Sequence, residues 1–320
     1  MINSKLNLGV DVGGTFVKLG IIDENGKIVA RHKIKTQTEA GSEIVIQSII
    51  EAVEFILKDL GISVSEIKTI GMGFPGTTDL EAGVVLHAPN IFWKNVDVIS
   101  PIKKHFKLPV YIGQDSRAAA WAEYLFGVGK GYTYISSITL GTGIGCGLVL
   151  NGKIYHGGLN TAGEFGHQII EADGIRCNCG GIGCLESYIG GPAVLKAGLE
   201  IENIETLTAK PLEEIAVMDI FDLAKKGNAQ ALEITNLYVK RLGIGMVNLI
   251  NLTSLELISI SGGISNAPDE LLFSPLIKFV KERAYSLAAG RVKVIKSTLG
   301  DDAPLIGAAM LYLSNPRILF

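Results

Sequence analysis

The sequence predicts an α/β protein of two duplicated domains, and three observations carry that prediction. Short apolar strand-like runs alternate with helical periodicity along the whole chain. One local pattern (strand, glycine turn, strand, hairpin, strand) opens the chain and returns from residue 132. Within it the phrase Gly-Lys-Ile recurs at 26–28 and 152–154, about 126 residues apart. Finally, 320 residues exceed the roughly 100–200 expected of one domain.

Taken in order, Leu6–Asp11 reads as a strand, Gly13-Gly14 as a turn and Phe16–Ile22 as a second strand. Glu24-Asn25-Gly26 is a hairpin turn before a third strand, Lys27–Lys35. Ile46, Ile49, Ile50, Val53, Ile56 and Leu57 fall at helical spacing and predict a helix over Ser42–Leu60. Ile67–Gly73 is a strand ending in Phe74-Pro75-Gly76. Pro109–Gly113 is another, running through Gln114-Asp115-Ser116 into an alanine-rich helix, Arg117–Phe126. The pattern restarts with a strand at Tyr132–Leu140, the turn Gly141-Thr142-Gly143-Ile144-Gly145, a strand at Cys146–Leu150, the turn Asn151-Gly152 and a third strand from Lys153. Residues 177–230 are glycine-rich and then helical. A long amphipathic helix spans Asn228–Asn251, and the strand Leu255–Ser261 ends in Gly262-Gly263. A helix at Leu271–Leu287, a strand at Val292–Ser297 and a closing helix at Ala303–Tyr312 complete the chain. The domain boundary is expected near residue 115, with residues 1–115 and 116–300 as the two domains.

Composition excludes several classes. Hydrophobic residues are 48% of the chain and charged residues 19%, enough for a sizeable core and against wholesale disorder. A net charge of −3 implies no large basic surface, so no nucleic-acid partner is expected. The most apolar stretch, Leu242–Ile260, is interrupted by Asn248, Asn251, Thr253, Ser254 and Glu256, so no membrane span is expected. The first residues carry no signal-type apolar segment, and a cytoplasmic protein is expected.

Asp11-Val12-Gly13-Gly14-Thr15-Phe16-Val17-Lys18 has the makings of a phosphate site. Gly13 and Gly14 allow close backbone approach to a polyphosphate, Thr15 adds a hydroxyl and Lys18 a charge. Asp11 is placed to hold Mg²⁺ through water. The same residues also read as a plain tight hairpin. Gly141, Thr142 and Gly143 repeat the design, and Gly262-Gly263 follows a third strand. Neither of the first two is a Walker A loop, because the Gly-Lys-Ser/Thr ending is missing, and neither opens a helix as a dinucleotide fingerprint does. Together they suit one nucleotide.

The strongest chemical signal is His167 followed by Cys177-Asn178-Cys179 and Cys184. Three thiolates and an imidazole suit tetrahedral Zn²⁺, and a full protein ligand set leaves no position for a reactive water, so a structural zinc is expected. Cys146, alone in a glycine-rich strand, reads as a core residue. Among the carboxylates, Asp115 sits at a strand-to-helix junction. It reads either as a base for a hydroxyl proton or as a helix cap. Glu164 and Glu186 flank the zinc ligands and suit the hydroxyls of a polyhydroxy ligand, with solvated surface glutamates as the plain alternative.

These segments together resemble the ROK family (repressors, open reading frames and kinases), in order along nearly the whole chain. Asp11-x-Gly13-Gly14-Thr15-x-x-Lys18 and Leu140-Gly141-Thr142-Gly143-Ile144-Gly145 look like the family's two phosphate motifs, and Ser261-Gly262-Gly263-Ile264 like its adenosine turn. Gly71-x-Gly73-x-Pro75-Gly76 and Ala88-Pro89-Asn90 look like its sugar-side loops. Gly163-Glu164-x-Gly166-His167 with Cys177-x-Cys179-Gly180-x-x-Gly183-Cys184-x-Glu186 looks like its zinc signature. The resemblance implies two actin-like (ribonuclease H-like) α/β domains with a cleft between them, the first completed by a C-terminal helix in 301–320. It implies a cytoplasmic, homodimeric kinase using ATP and Mg²⁺ on a hexose hydroxyl, usually O6. Asp115 matches the family's base. Gly76, Asn90, Glu164, His167 and Glu186 match its sugar contacts, His167 turning one ring nitrogen to zinc and the other to the sugar.

The sequence departs from the family pattern beside the base, where Asn-Asp-Ala-Asn is usual and Gln114-Asp115-Ser116-Arg117 stands here. Glucose is the first expectation for the substrate. The altered segment leaves mannose, allose, an N-acetyl hexosamine or myo-inositol as alternatives, and a non-catalytic sugar sensor as another. Arg117 reads either as an exposed helix arginine or as a donor to a substrate oxygen. The family's repressors carry an N-terminal DNA-binding domain before the kinase-like body; here Asp11 opens the body almost at once, and a kinase is expected.

Overall fold

The structure, a computed structural model, describes residues 6–314. The first five residues, and positions 315–320 of the expected C-terminal segment, lie outside the described residues. By internal contacts the chain forms two compact units. One comprises the described residues up to Thr133, Gly147–Ala162 and the described residues from Thr298 onward; the other comprises Tyr134–Cys146 and Gly163–Ser297.

In the first unit, β1 (Leu6–Val12), β2 (Phe16–Ile22) and β3 (Ile28–Lys35) form a meander. Its first turn is closed by the Gly13 N–H on Phe16 O at 2.9 Å. The Asp23 carboxylate organises the second turn by accepting the N–H groups of Asn25 and Lys27, each at 2.9 Å. Helix α1 (Ser42–Leu60) follows and is stopped by Gly61 at φ 65°. β4 (Ile67–Phe74) then enters the sheet. Next come three short strands, β5 (Thr77–Asp79), β6 (Val84–Ala88) and β7 (Trp93–Asp97), which form a separate antiparallel sheet. Helix α2 (Ile99–Phe106), β8 (Val110–Gln114) and α3 (Asp115–Phe126) complete the run. The main sheet has the order β3-β2-β1-β4-β8, with β1, β4 and β8 parallel.

The second sheet uses β9 (Ile135–Leu140), β10 (Ile144–Leu150), β11 (Lys153–Ile154), β12 (Leu257–Ser261) and β13 (Lys293–Lys296), in the order β11-β10-β9-β12-β13. Position for position this repeats the first sheet: a meander, then two parallel strands added beyond its first strand. The duplication legible at 26–28 and 152–154 is thus a repeat of topology. Between β11 and β12 lie α4 (Glu186–Ile189), α5 (Gly191–Leu199), α6 (Ile204–Thr208), α7 (Val217–Lys225) and α8 (Ala229–Thr253). Helices α9 (Phe273–Arg283) and α10 (Ser286–Ala289) precede β13, and α11 (Ala303–Ala309) follows it.

One face of the first sheet packs on α1, which buries Val45, Ile46, Ile49, Ile50, Val53, Ile56 and Leu57. The opposite face packs on α11 with almost no side chain between. A Cβ on Gly9 would lie 2.4 Å from Leu305 O, and one on Gly71 would lie 1.8 Å from Ala308 O. Among the described residues no helix is long and apolar enough to cross a membrane.

Several elements differ from expectation. The helix expected over 271–287 is two helices. Ala284 is extended (ψ 159°), and the Tyr285 N–H donates to the Asn251 side chain of α8 at 2.9 Å, capturing the chain where the helix would have continued. The closing helix stops at Ala309 and gives way to a short turn, Leu311–Leu313. The helix expected from Arg117 starts two residues earlier, at Asp115, whose carboxylate accepts the Ser116 N–H at 2.6 Å within the first turn. Gln114, extended at φ −73° and ψ 139°, is therefore the cap position, and Asp115 stands inside the helix. The β5–β7 sheet and α2 have no counterpart in the sequence reading.

Candidate active site

In the first unit, register alone gathers the motifs. β1, β4 and β8 are parallel, with Asp11 paired to Gly73, Gly73 to Gly113, and Phe74 to Gln114. Their C-terminal ends therefore share one sheet edge, the place where ligands bind in open α/β sheets. From that edge emerge the Gly13-Gly14-Thr15 turn, the Pro75-Gly76 loop and Asp115. Gly76 sits at φ 86°, where a Cβ would lie 2.2 Å from His87 O, so only glycine fits between this loop and β6. Asn90 is exposed on the turn after β6, and its carbonyl oxygen is 3.2 Å from where a Gly14 Cβ would be. The first phosphate turn and the Asn90 loop are thus neighbours.

Asp11 is largely buried. Burial raises its pKa above the usual carboxylate value, while Lys18, its cross-strand partner with Nζ at 3.8 Å, acts in the opposite direction. Strand register thus turns Lys18 toward Asp11. Gln114 is buried. Arg117 is not the exposed helix arginine the sequence allowed: it is 2% exposed, and its guanidinium donates to the Ala162 and Asn160 carbonyls and to the Asn160 side chain.

In the second unit the two glycine turns lie side by side. β9 and β12 are parallel, with Ser261 paired to Thr139, so Gly141 and Gly262 leave one sheet edge together. Gly262 has φ 87°, and a Cβ there would lie 2.4 Å from Leu140 O. Thr142, Gly143 and Gly263 are exposed. A third glycine pair, Gly190-Gly191, joins them and was missed from sequence: the Gly191 N–H donates to Gly141 O at 2.8 Å. The signal was present in Gly190-Gly191-Pro192 at the start of α5, read only as part of a glycine-rich tract. Glu186, first residue of α4, reaches the same turn, its Oε2 accepting the Ile144 N–H at 2.7 Å. Glu164 is exposed, immediately before the short turn Phe165–His167.

His167, Cys177, Cys179 and Cys184 place their ligand atoms all within 4.8 Å of one another. The Cys177 Sγ to His167 Nδ1 and Cys179 Sγ to Cys184 Sγ distances are both 3.7 Å. A tetrahedral site with Zn–S near 2.3 Å and Zn–N near 2.0–2.1 Å requires edges of about 3.5–3.8 Å, so the donor set fits zinc in type and spacing. Burial opposes ionisation of Cys177, but hydrogen bonding with Ser187 and the other thiols brings it down to about 6. Burial and the same thiols push Cys184 up to about 12. Gly183, at φ 78° with Glu171 O 1.7 Å from a would-be Cβ, allows the tight return that delivers Cys184. Cys146 stands apart, buried with its Sγ 3.2 Å from Ser136 Oγ.

The ROK family model matches residues 7–315. A glucokinase of Halalkalibacterium halodurans is 34% identical over 310 residues, covering 95% of this chain and 94% of that protein. The xylose repressor of Bacillus subtilis is 28% identical, covering 97% of this chain and 77% of the repressor. Among solved structures, a ROK family glucokinase from Streptomyces griseus in complex with glucose and AMPPNP superposes with a TM-score of 0.81 at 30% identity, covering 96% of this chain and 98% of that one. With the family model spanning nearly all of the described residues and the motif glycines placed as above, the chain belongs to the ROK family.

Proposed function

We propose that this protein is an ATP-dependent sugar kinase that transfers the γ-phosphoryl group to a hexose hydroxyl. The observation that carries the reading is the shared sheet edge of the first unit. It sets a largely buried Asp11 with its phosphate-type glycine turn, the Pro75-Gly76 loop and the helix-start Asp115 at the ends of three register-locked parallel strands. Similarity to glucokinases over 95% of the chain supports the same chemistry.

In this reading Asp115 is the base. Its carboxylate accepts the proton of the sugar hydroxyl as that oxygen bonds to the γ-phosphorus and the bond to the ADP oxygen breaks. The Ser116 N–H on Oδ1 fixes the orientation of the carboxylate. Gly13, Gly14, Thr15, Gly141, Thr142, Gly143, Gly262 and Gly263 hold the nucleotide, and Lys18 adds charge. Asp11 is the residue to hold Mg²⁺, which neutralises phosphate charge in such reactions. Gly76, Asn90, Gln114, Glu164, His167 and Glu186 contact the sugar. His167, Cys177, Cys179 and Cys184 hold a structural Zn²⁺, with the His167 Nδ1 toward the thiols and Nε2 left for the sugar side.

Glucose is the proposed substrate, with another hexose or a cyclitol as the alternative that Gln114 raises. A homodimer belongs to the same reading, and light scattering of the purified protein checks it. ADP release from ATP against a panel of hexoses, N-acetyl hexosamines and myo-inositol tests the function: turnover with at least one sugar is expected. A sensor of the kind the repressor similarity suggests would bind sugar without consuming ATP.

A further inference from the structure

We propose that Arg117 is a positioning residue, the centre of a buried polar clamp that sets the base and the sugar-side loops in one register. This rests on the kinase reading above.

Four hydrogen bonds tie the guanidinium to the chain ahead of Gly163. Nε and Nη2 donate to Ala162 O at 3.1 and 2.9 Å, Nη2 also donates to Asn160 O at 2.9 Å, and Nη1 donates to Asn160 Oδ1 at 3.1 Å. The Asn160 amide nitrogen in turn donates to Thr78 O. Asn160 holds φ 57°, a left-handed conformation to which asparagine is among the better suited residues. One cluster therefore joins three segments of the first unit. Thr78 lies two residues after Gly76, Arg117 two residues after Asp115, and Ala162 two residues before Glu164 in the chain.

The rest of the cluster leaves little slack. A Cβ on Gly147 would lie 2.4 Å from Ser116 O and 2.8 Å from the Arg117 Cα, so β10 runs directly against the first turn of α3. His156 also touches Asn160. Burial and the Arg117 charge lower its pKa to about 4, which keeps it neutral and leaves the guanidinium as the cation of the group. A planar fork with several donors suits two carbonyls and an amide oxygen, whereas a lysine ammonium, a point charge, cannot meet all of them at once. The departure from the family pattern at this position is thereby a positioning device, its guanidinium hydrogen-bonded inside the protein.

The test compares Arg117→Lys, Asn160→Ala and the double variant with wild type. In each single variant the sugar KM should rise and kcat fall, kcat/KM for sugar dropping about 10–100-fold, while the KM for ATP stays within about twofold. The double variant should lose little more than the worse single one, because both substitutions break one unit. Independent, multiplicative losses would overturn the proposal, as would a sugar KM that does not move. Hydrogen exchange gives a second reading: Asn160→Ala should speed exchange in 76–80, 115–120 and 156–162 together, and acceleration confined to 156–162 would contradict a shared clamp. If wild type phosphorylates no sugar, the kinase reading falls, and the clamp is decided by exchange alone.

Discussion

The Glu186 carboxylate accepts the backbone N–H of Ile144 at 2.7 Å. Two residues after Cys184, Glu186 thus reaches back to the glycine turn Gly141–Gly143, and the cysteine loop and that glycine turn become one piece of structure. The geometry also explains two glycines. A Cβ on Gly143 would lie 2.8 Å from Glu186 Oε2, and one on Gly166 would lie 3.3 Å from it and 2.8 Å from Ile144 O.

Glu186→Gln keeps an acceptor for Ile144, whereas Glu186→Ala leaves that N–H without one. The alanine variant should lose affinity for both ATP and sugar, and the glutamine variant mainly for sugar. Gly143→Ala should raise the KM for ATP by pushing the carboxylate aside. Steady-state kinetics with each substrate varied check all three, and an unchanged ATP KM in Glu186→Ala would show that the bond does not shape the turn.

Natively purified protein should contain one zinc per chain, read by elemental analysis. Replacing Cys177 by Ser should remove it and lower the melting temperature, because structural metal binding contributes folding free energy directly. Metal-free protein of undiminished stability would refute the assignment of His167, Cys177, Cys179 and Cys184.

Gly307 sits where a Cβ would be 1.7 Å from Ala118 O, so α11 meets the helix that begins with Asp115 at backbone contact. Gly307→Ala should force the two helices apart and cost about 1–3 kcal/mol, the usual range for overpacking. Chemical denaturation measures the loss, and kcat should fall as well because α3 carries Asp115, the proposed base. A stability change below about 0.5 kcal/mol would mean the contact relaxes freely.

Gln114 is buried one residue before Asp115, the proposed base. Its amide sits about one carbon–carbon bond, roughly 1.5 Å, further out than that of an asparagine. Hydrogen-bonded sites discriminate strongly among hydroxyl patterns, so Gln114→Asn should change the ranking of glucose, mannose, allose, N-acetyl hexosamines and myo-inositol by kcat/KM. An unchanged ranking led by glucose would make Gln114 a neutral variant.

The sequence made the two meanders, helix 42–60 and the cluster of His167, Cys177, Cys179 and Cys184 legible because each has a local signature: alternation, helical period and thiol spacing. The duplication was legible because glycine turns follow strands in both halves. The β5–β7 sheet was not, since three- to five-residue strands carry too few residues to show a period. The break at Ala284 was hidden because its cause, the Asn251 side chain, lies 34 residues away from Tyr285. Burial of Arg117 was equally hidden: nothing beside it in sequence announces that carbonyls 43 and 45 residues later will surround it. The site was legible as motifs, and what the structure adds is the register that sets Asp11, Gly73 and Gly113 in one row.

The most direct test of the account is turnover of ATP with glucose by wild type and Asp115→Asn, alongside calorimetric binding of the sugar to each. Wild type should give glucose 6-phosphate and ADP in equal amounts, and Asp115→Asn should lose about 10²–10⁴-fold in kcat with sugar binding preserved. A variant that keeps more than about a third of wild-type turnover would reduce Asp115 to an ordinary first-turn carboxylate of α3 and contradict the central claim.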